Sequence, residues 1–286
     1  NPTRDSSRWL IYSDGAKQIT TSDFGRLSLI IYTAWFLDKY RNKINDFKNI
    51  LMPFLVMVGM VLFAILSQPD LSTTLVIGTL ILVMLIVGGL NLKNAIYIIA
   101  IGMPVIMYKI LTTDYIYNRL KAFILSIFGS NSVVVTSETI QPLNDQVDLA
   151  IMAMGSSGFF GRGLGDGLLK KGFIPEIQGD FIFSVIGEEF GLFSETLVLG
   201  SFIYLFIKGM QLAQKALDPF SMFLVLGISF NFIFYAIINI SYVIKLLPTT
   251  GLALPFISYG GTQTIISFIM VGLLFNVIQE VDRRGY

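Results

Sequence analysis

Three carboxylates stand in and around a segment that should be wholly apolar. In PEIQGDFIFSVIGEEFG, Pro175 to Gly191, Asp180 opens the apolar run, and Glu188 and Glu189 follow two turns later. A charge in hydrocarbon costs roughly 2.5–3.5 kcal/mol even on lenient insertion scales, so each needs a compensating role. Asp180 lies at a helix mouth, a position suited to acid–base chemistry, since partial burial makes a carboxylate a better proton acceptor. The same carboxylate suits a hard, oxygen-preferring cation such as Mg²⁺ or Mn²⁺, and residue type alone does not choose between base and ligand. Glu188 and Glu189 are adjacent, so on a helix they point about 100° apart and form no dyad. At least one is expected to pair with Arg26 or with a backbone donor inside the bundle.

Other chemistry is largely excluded. The chain has no histidine and no cysteine, which removes imidazole bases, thiolates, disulfides and the usual zinc sites. The net charge of +1 gives no support for nucleic-acid binding. With 54% hydrophobic and 14% charged residues and a mean hydropathy of +0.71, the composition is that of an integral membrane protein.

The elements that must position the carboxylates are spanning helices. Seven segments have the required length and apolarity, at roughly 22–38, 50–66, 72–90, 94–112, 181–207, 220–242 and 259–280. Lys39, Arg41, Lys43 and Lys48, then Lys93, then Lys208 and Lys215, and finally Arg283 and Arg284 fall in alternate connections, which the positive-inside rule places in the cytoplasm. The outer face then receives Gln68-Pro69-Asp70, the stretch before Gly261 and one long loop, about 113–180. That loop carries glycines at 155, 158, 161, 163, 165 and 167 among apolar residues that need burial, and fits neither a Walker loop nor a dinucleotide fingerprint. The loop is expected to dip into the membrane surface or fold over the bundle, its glycines serving either as a phosphate cradle of another kind or as a tightly packed hairpin.

On this topology the polar residues gather at one face. Asp23 and Arg26 open the first span, and Asp70 lies between the second and third. Arg119, Arg162, Lys170 and Lys171 line the long loop, and Ser258, Gly260 and Gly261 open the last span. Asp23 and Asp70 also read as helix caps or dipole partners; Asn239, inside the sixth span, reads as an interhelical hydrogen bonder. A cationic surface with a few carboxylates at headgroup depth suits an anionic, lipid-linked substrate. LPTTGLALPFISYGG, Leu247 to Gly261, adds broken backbone at membrane depth, tolerated only when buried in protein or lining a wet cavity.

Five motifs in order resemble the SEDS family (shape, elongation, division and sporulation), which includes FtsW, RodA and SpoVE. RWL at 8–10 followed by TTSDFGRLSL at 20–29 looks like the family's RW…QPSEFAKLAL. QPDLSTT at 68–74 is similar to its QPDLGT, and GSSGFFGRGLGDG at 155–167 to its GSGGLFGKGLG. PEIQGDFIFSVIGEEFG resembles its PEPQTDFIFAVIGEELG, and LPTTGLALPFISYGG its LPxTGLTLPFISYGG. The resemblance covers nearly the whole chain. It implies one all-α polytopic membrane domain over 1–286, with seven of the family's ten spans visible and a large extracellular loop. The abrupt polar start at Asn1 and the count of seven lead us to expect that three N-terminal spans precede this sequence.

The resemblance further implies a peptidoglycan glycosyltransferase that polymerises lipid II at the outer face of the bacterial cytoplasmic membrane, in division, elongation or sporulation. A class B penicillin-binding protein and other divisome or elongasome membrane proteins are the implied partners. The family's essential acid falls at Asp180. Its important lysine falls at Arg26, and here Asp23 and Gly179 replace a glutamate and a threonine. Arginine keeps a cation for pyrophosphate but cannot transfer a proton. Arg26, Arg119, Arg162, Lys170, Lys171, Ser258, Gly260 and Gly261 are the expected substrate or pyrophosphate contacts, and Asp23, Asp70, Glu188, Glu189 and Asn239 the supporting residues. A lipid II flippase and a non-catalytic divisome scaffold are the alternatives from other classes. A polar path through the membrane would favour the first, and a dispensable Asp180 the second.

Overall fold

The computed structural model describes residues 9–12, 17–68, 70–128, 141–167, 169 and 179–283. Each expected span falls on a helix. These are α1 (Thr21–Tyr40), α2 (Met52–Ser67), α3 (Leu71–Val87), α4 (Leu92–Thr112), α7 (Ile182–Lys215), α8 (Pro219–Val243) and α9 (Gly261–Arg283). Among the described residues five helices are long and apolar enough to cross a membrane: α2 with the turn before it (Phe47–Ser67), α4, α7, α8 and α9. α3 is apolar but only 17 residues long. α1 has 20 residues, and its apolarity is diluted by Asp23, Arg26, Asp38 and Lys39.

The segment expected as a loop, 113–180, contains two helices, α5 (Asp114–Phe128) and α6 (Gln141–Ser156), which pack on each other. Ile116, Leu120 and Phe123 recur at helical spacing in α5, so one side is apolar enough to need a partner. A short antiparallel hairpin also precedes α1. It pairs β1 (Trp9–Tyr12) with β2 (Lys17–Thr20), with Trp9 opposite Thr20 and Tyr12 opposite Lys17.

The chain forms two compact units. The first comprises Asn1–Gly102, Ile203–Phe234 and Gly260–Tyr286. In it α1 packs on α2, α3 and α9 around Ile30, Leu37, Phe54, Ile77, Leu80 and Met84. Phe54 stacks on Tyr32 and Phe36, with centroids 5.4 and 4.1 Å away. Gly227 lets α8 approach closely, because a Cβ there would stand 2.8 Å from both Ile30 Cγ2 and Met84 Cε. The second unit comprises Met103–Phe202 and Tyr235–Tyr259, and so holds α5, α6, the glycine segment, the start of α7 and the end of α8. Lys245 Nζ ties it to α6 through Asp148 Oδ1 at 2.6 Å.

Candidate active site

In the first unit the polar residues meet at the N-terminal end of α1. The Thr20 amide donates to Thr262 Oγ1 at 3.1 Å, and Gln68 Nε2 donates to Thr21 Oγ1 at 3.1 Å. Asp70 caps α3, its Oδ1 accepting from the Thr73 amide at 3.1 Å, as one of its two expected roles had it. Arg26 is 1% exposed and sits one turn beyond Asp23, Nη2 to Oδ1 3.1 Å. The contact is an ion pair by distance without the alignment of a hydrogen bond. A cation this buried is held by its charge partner. Gly260 and Gly261 lead into α9, where the Gly260 carbonyl accepts from the Thr264 amide at 3.0 Å.

The second unit answers why three carboxylates accompany α7. The helix is interrupted at Gly191, whose φ of 73° and ψ of −171° are not helical. The glycine segment fills the interruption. The Arg162 and Gly163 amides donate to the Glu188 and Glu189 carbonyls at 3.0 Å each, and the Leu192 and Phe193 amides donate to the Gly158 and Phe159 carbonyls at 3.2 Å each. Broken backbone inside an apolar helix is thus satisfied strand-fashion by a second stretch of chain.

The two glutamate side chains complete that seal. Both are buried, and both reach the glycine segment. Glu188 Oε2 accepts from the Leu169 amide at 3.0 Å, and Glu189 Oε1 from the Gly165 amide at 3.2 Å. Arg162 stands 3.9 Å from Glu188 Oε1 and donates to Ser156 Oγ at 2.7 Å. Pairing with a backbone donor, one of the two expected arrangements, therefore holds for both glutamates. Replacing Glu188 by Ala should strand the Leu169 amide and cost about 1–3 kcal/mol locally. Glu188→Gln, which keeps an acceptor, should cost less. Hydrogen exchange of the 158–169 amides reads the difference; equal protection in both variants would remove the glutamate from the seal.

Asp180 sits just before α7, partly exposed, and its surroundings are assembled from the end of α8 and the loop after it. Its carbonyl accepts from Asn239 Nδ2 at 3.2 Å and from the Tyr242 hydroxyl. The preceding Gly179 carbonyl accepts from Ser258 Oγ at 2.6 Å, and Ser258 Oγ in turn accepts from the Leu254 amide at 2.7 Å. The Asp180 carboxylate lies beside Gly251, where a Cβ would come within 3.3 Å of Oδ2. Asp180 and Arg119 both lie within Coulombic range of the Tyr242 hydroxyl. Arg119 is stacked on Tyr115, 4.8 Å from the ring centroid, and donates to its hydroxyl at 2.5 Å.

Of the expected site residues, this unit brings Asp180, Asn239 and Ser258 together, while Arg119 stacks on Tyr115 of α5 and Arg162 lies on the glycine segment. Ser258 spends its one donor on the backbone. Asn239 bonds to backbone either side of the site and to Tyr242, where a bond to another helix was expected. Lys170 and Lys171 lie outside the described residues. Tyr242 and Gly251 were missed. Tyr242 stands three residues after Asn239 on the same helix face, a spacing that signals a shared target.

Comparison with known proteins gives a consistent result. A family model described as cell cycle protein, FtsW/RodA/SpoVE, matches residues 3–283. A probable peptidoglycan glycosyltransferase FtsW of Geobacter sulfurreducens is 34% identical over 283 residues, covering 96% of this chain and 70% of that protein. Stage V sporulation protein E of Bacillus subtilis is 33% identical over 266 residues, covering 92% and 69%. Two solved structures share the fold. A chain from a peptidoglycan synthase complex that coordinates polymerization and crosslinking superposes with a TM-score of 0.72 at 20% identity, covering 96% of this chain and 73% of that one. The rod shape determining protein RodA of Thermus thermophilus does so at 0.60 and 22%, covering 93% and 67%.

Proposed function

This chain belongs to the FtsW/RodA/SpoVE family of cell cycle proteins, and from that premise we infer that it is a peptidoglycan glycosyltransferase, the activity its relatives' names carry. The finer reading is polymerisation of lipid II at the outer face of the cytoplasmic membrane, the orientation resting on the basic residues of the short connections. The observation that carries it is the Asp180 mouth: a partly exposed carboxylate whose own peptide is fixed by buried side chains.

Asp180 takes the proton from the acceptor sugar hydroxyl as that oxygen attacks the anomeric carbon of the growing strand. The bond from that carbon to the undecaprenyl pyrophosphate breaks, and the leaving group departs with the electron pair. Arg119 supplies positive charge for the pyrophosphate, as preformed cations do for developing phosphate charge. Among the described residues no group of three or more aspartate, glutamate, histidine or cysteine side chains comes together as a metal site, and Asp180 is the carboxylate proposed to hold a cation. A hard cation held there would draw its remaining oxygens from the substrate and water. The proton transfer at Asp180 is complete without it.

Glu188 and Glu189 weigh against a transport reading, because their carboxylates serve the glycine segment instead of lining a path. A class B penicillin-binding protein is the proposed partner. The structural relative drawn from a synthase complex that couples polymerization to crosslinking supports that reading.

The test is direct. The full chain in detergent or nanodiscs, alone and with its transpeptidase partner, is given lipid II, and glycan strands are followed by gel. A ladder that muramidase digests is the expected product. No strands under either condition, with lipid II crossing the bilayer of reconstituted vesicles, would replace the polymerase with a transporter.

A further inference from the structure

On the reading that Asp180 is the base, we propose that Asn239 and Tyr242 are positioning residues that aim its carboxylate. One turn at the end of α8 carries both. Asn239 is fully buried and Tyr242 is 1% exposed, so neither is spent on solvent. Asn239 Nδ2 donates to the Leu252 carbonyl at 2.7 Å, and its reach extends to Tyr242 Oη at 3.0 Å and the Asp180 carbonyl at 3.2 Å. The Tyr242 hydroxyl donates to the Asp180 carbonyl, and its ring packs edge-on against Phe181, centroids 5.9 Å apart.

The Asp180 carbonyl is turned to this turn of α8 at the entry to α7. In the first turn of α7 the Ser184 and Val185 amides both donate to the Phe181 carbonyl. The Asp180 carboxylate lies against Gly251, next in sequence to Leu252. One amide group, Asn239 Nδ2, therefore ties together the peptide that carries the base and the loop the base rests on. Gly251 has a φ of +69°, so the loop's path there is one that L side chains rarely adopt. Ser258 fixes the preceding Gly179 carbonyl from the same loop. The direction of the Asp180 side chain is set by peptides held on both sides, and the geometry assigns the setting to α8. Misplacing a reacting group by about 1 Å costs on the order of 100-fold in rate.

Tyr242→Phe removes one hydroxyl and keeps the ring on Phe181, and Asn239→Ala removes the tie itself. Polymerisation of lipid II by the full chain is measured for both, alongside Asp180→Asn and Asp180→Glu. Expected is a fall in kcat of about 10-fold for Tyr242→Phe and about 100-fold for Asn239→Ala, with KM for lipid II unchanged. In the Asp180→Glu background, where the aim is already lost, the Tyr242→Phe loss should shrink below about twofold. Loss in KM alone, or a full repeat of the loss on Asp180→Glu, would make the two residues structural supports and overturn the proposal. So would wild-type kcat in a folded Tyr242→Phe. Wild-type turnover by Asp180→Asn is a different failure, which removes the base beneath the clamp.

Discussion

Asp180→Asn loses polymerisation by about 10²–10⁴-fold in kcat, the range that general acid–base catalysis contributes. Asparagine matches the carboxylate in size and can still accept a hydrogen bond, but it does not take up a proton at neutral pH. The bonds from Asn239, Tyr242 and Ser258 go to its carbonyl and to that of Gly179, neither of which the substitution touches. Folding and the local path of the chain should therefore survive, and the loss should fall on the chemical step. A 10³-fold fall corresponds to about 4 kcal/mol of barrier at 1.36 kcal/mol per decade. Turnover at saturating lipid II, with a thermal unfolding curve of the same sample, separates the two effects. An unchanged melting curve with full turnover would sink Asp180 as the base. A lowered melting temperature with a proportionate loss of active protein would make it a structural acid.

Much of this arrangement is legible in the amino-acid sequence, and the rest is hidden for physical reasons. Hydropathy over 18 to 20 residues reports burial in an apolar medium, and all seven expected spans fall on helices for that reason. It reports nothing about backbone continuity. The run 181–207 reads as one span although α7 breaks at Gly191, because hydropathy averaged over the run stays apolar despite Glu188 and Glu189 while the φ/ψ change is borne by a residue with no side chain. α5 is hidden differently: only one face is apolar, so its composition looks like that of a polar loop until the spacing of Ile116, Leu120 and Phe123 is read. The hairpin before α1 has only the Asp14-Gly15 pair between two short runs as its signal. At the site, Asp180 stands out because a charge beside an apolar run is costly. Tyr242 does not, because a tyrosine in a membrane helix is ordinary until its hydroxyl is seen on the Asp180 carbonyl.

Gly191→Ala should prevent the protein from accumulating in a folded, active form. The backbone at Gly191, φ 73° and ψ −171°, lies in a region that is essentially glycine's alone, which costs an alanine roughly 1–3 kcal/mol. A Cβ there would also run into the Gly161 amide and the Phe159 carbonyl, and a Cβ at Gly161 would run into the Glu189 carbonyl. These are backbone atoms, joined across the break by the four amide–carbonyl bonds, so no side chain can swing away to make room. Relief would require parting the glycine segment from α7, and with it the acceptors that Glu188 and Glu189 offer to Leu169 and Gly165. Together these losses reach several kcal/mol against a typical total stability of about 5–15 kcal/mol. Gly155→Ala is the control: this glycine ends within α6, has nothing within 4 Å of its Cβ position, and gains helix propensity as alanine. Size-exclusion profiles and melting curves of the two variants in detergent should diverge, Gly155→Ala resembling wild type and Gly191→Ala aggregating or melting far lower. Equal behaviour would mean that the glycine segment and α7 separate at little cost. The seal would then be a contact that opens in the working protein, and the two buried glutamates would have to be reconsidered as groups exposed during turnover.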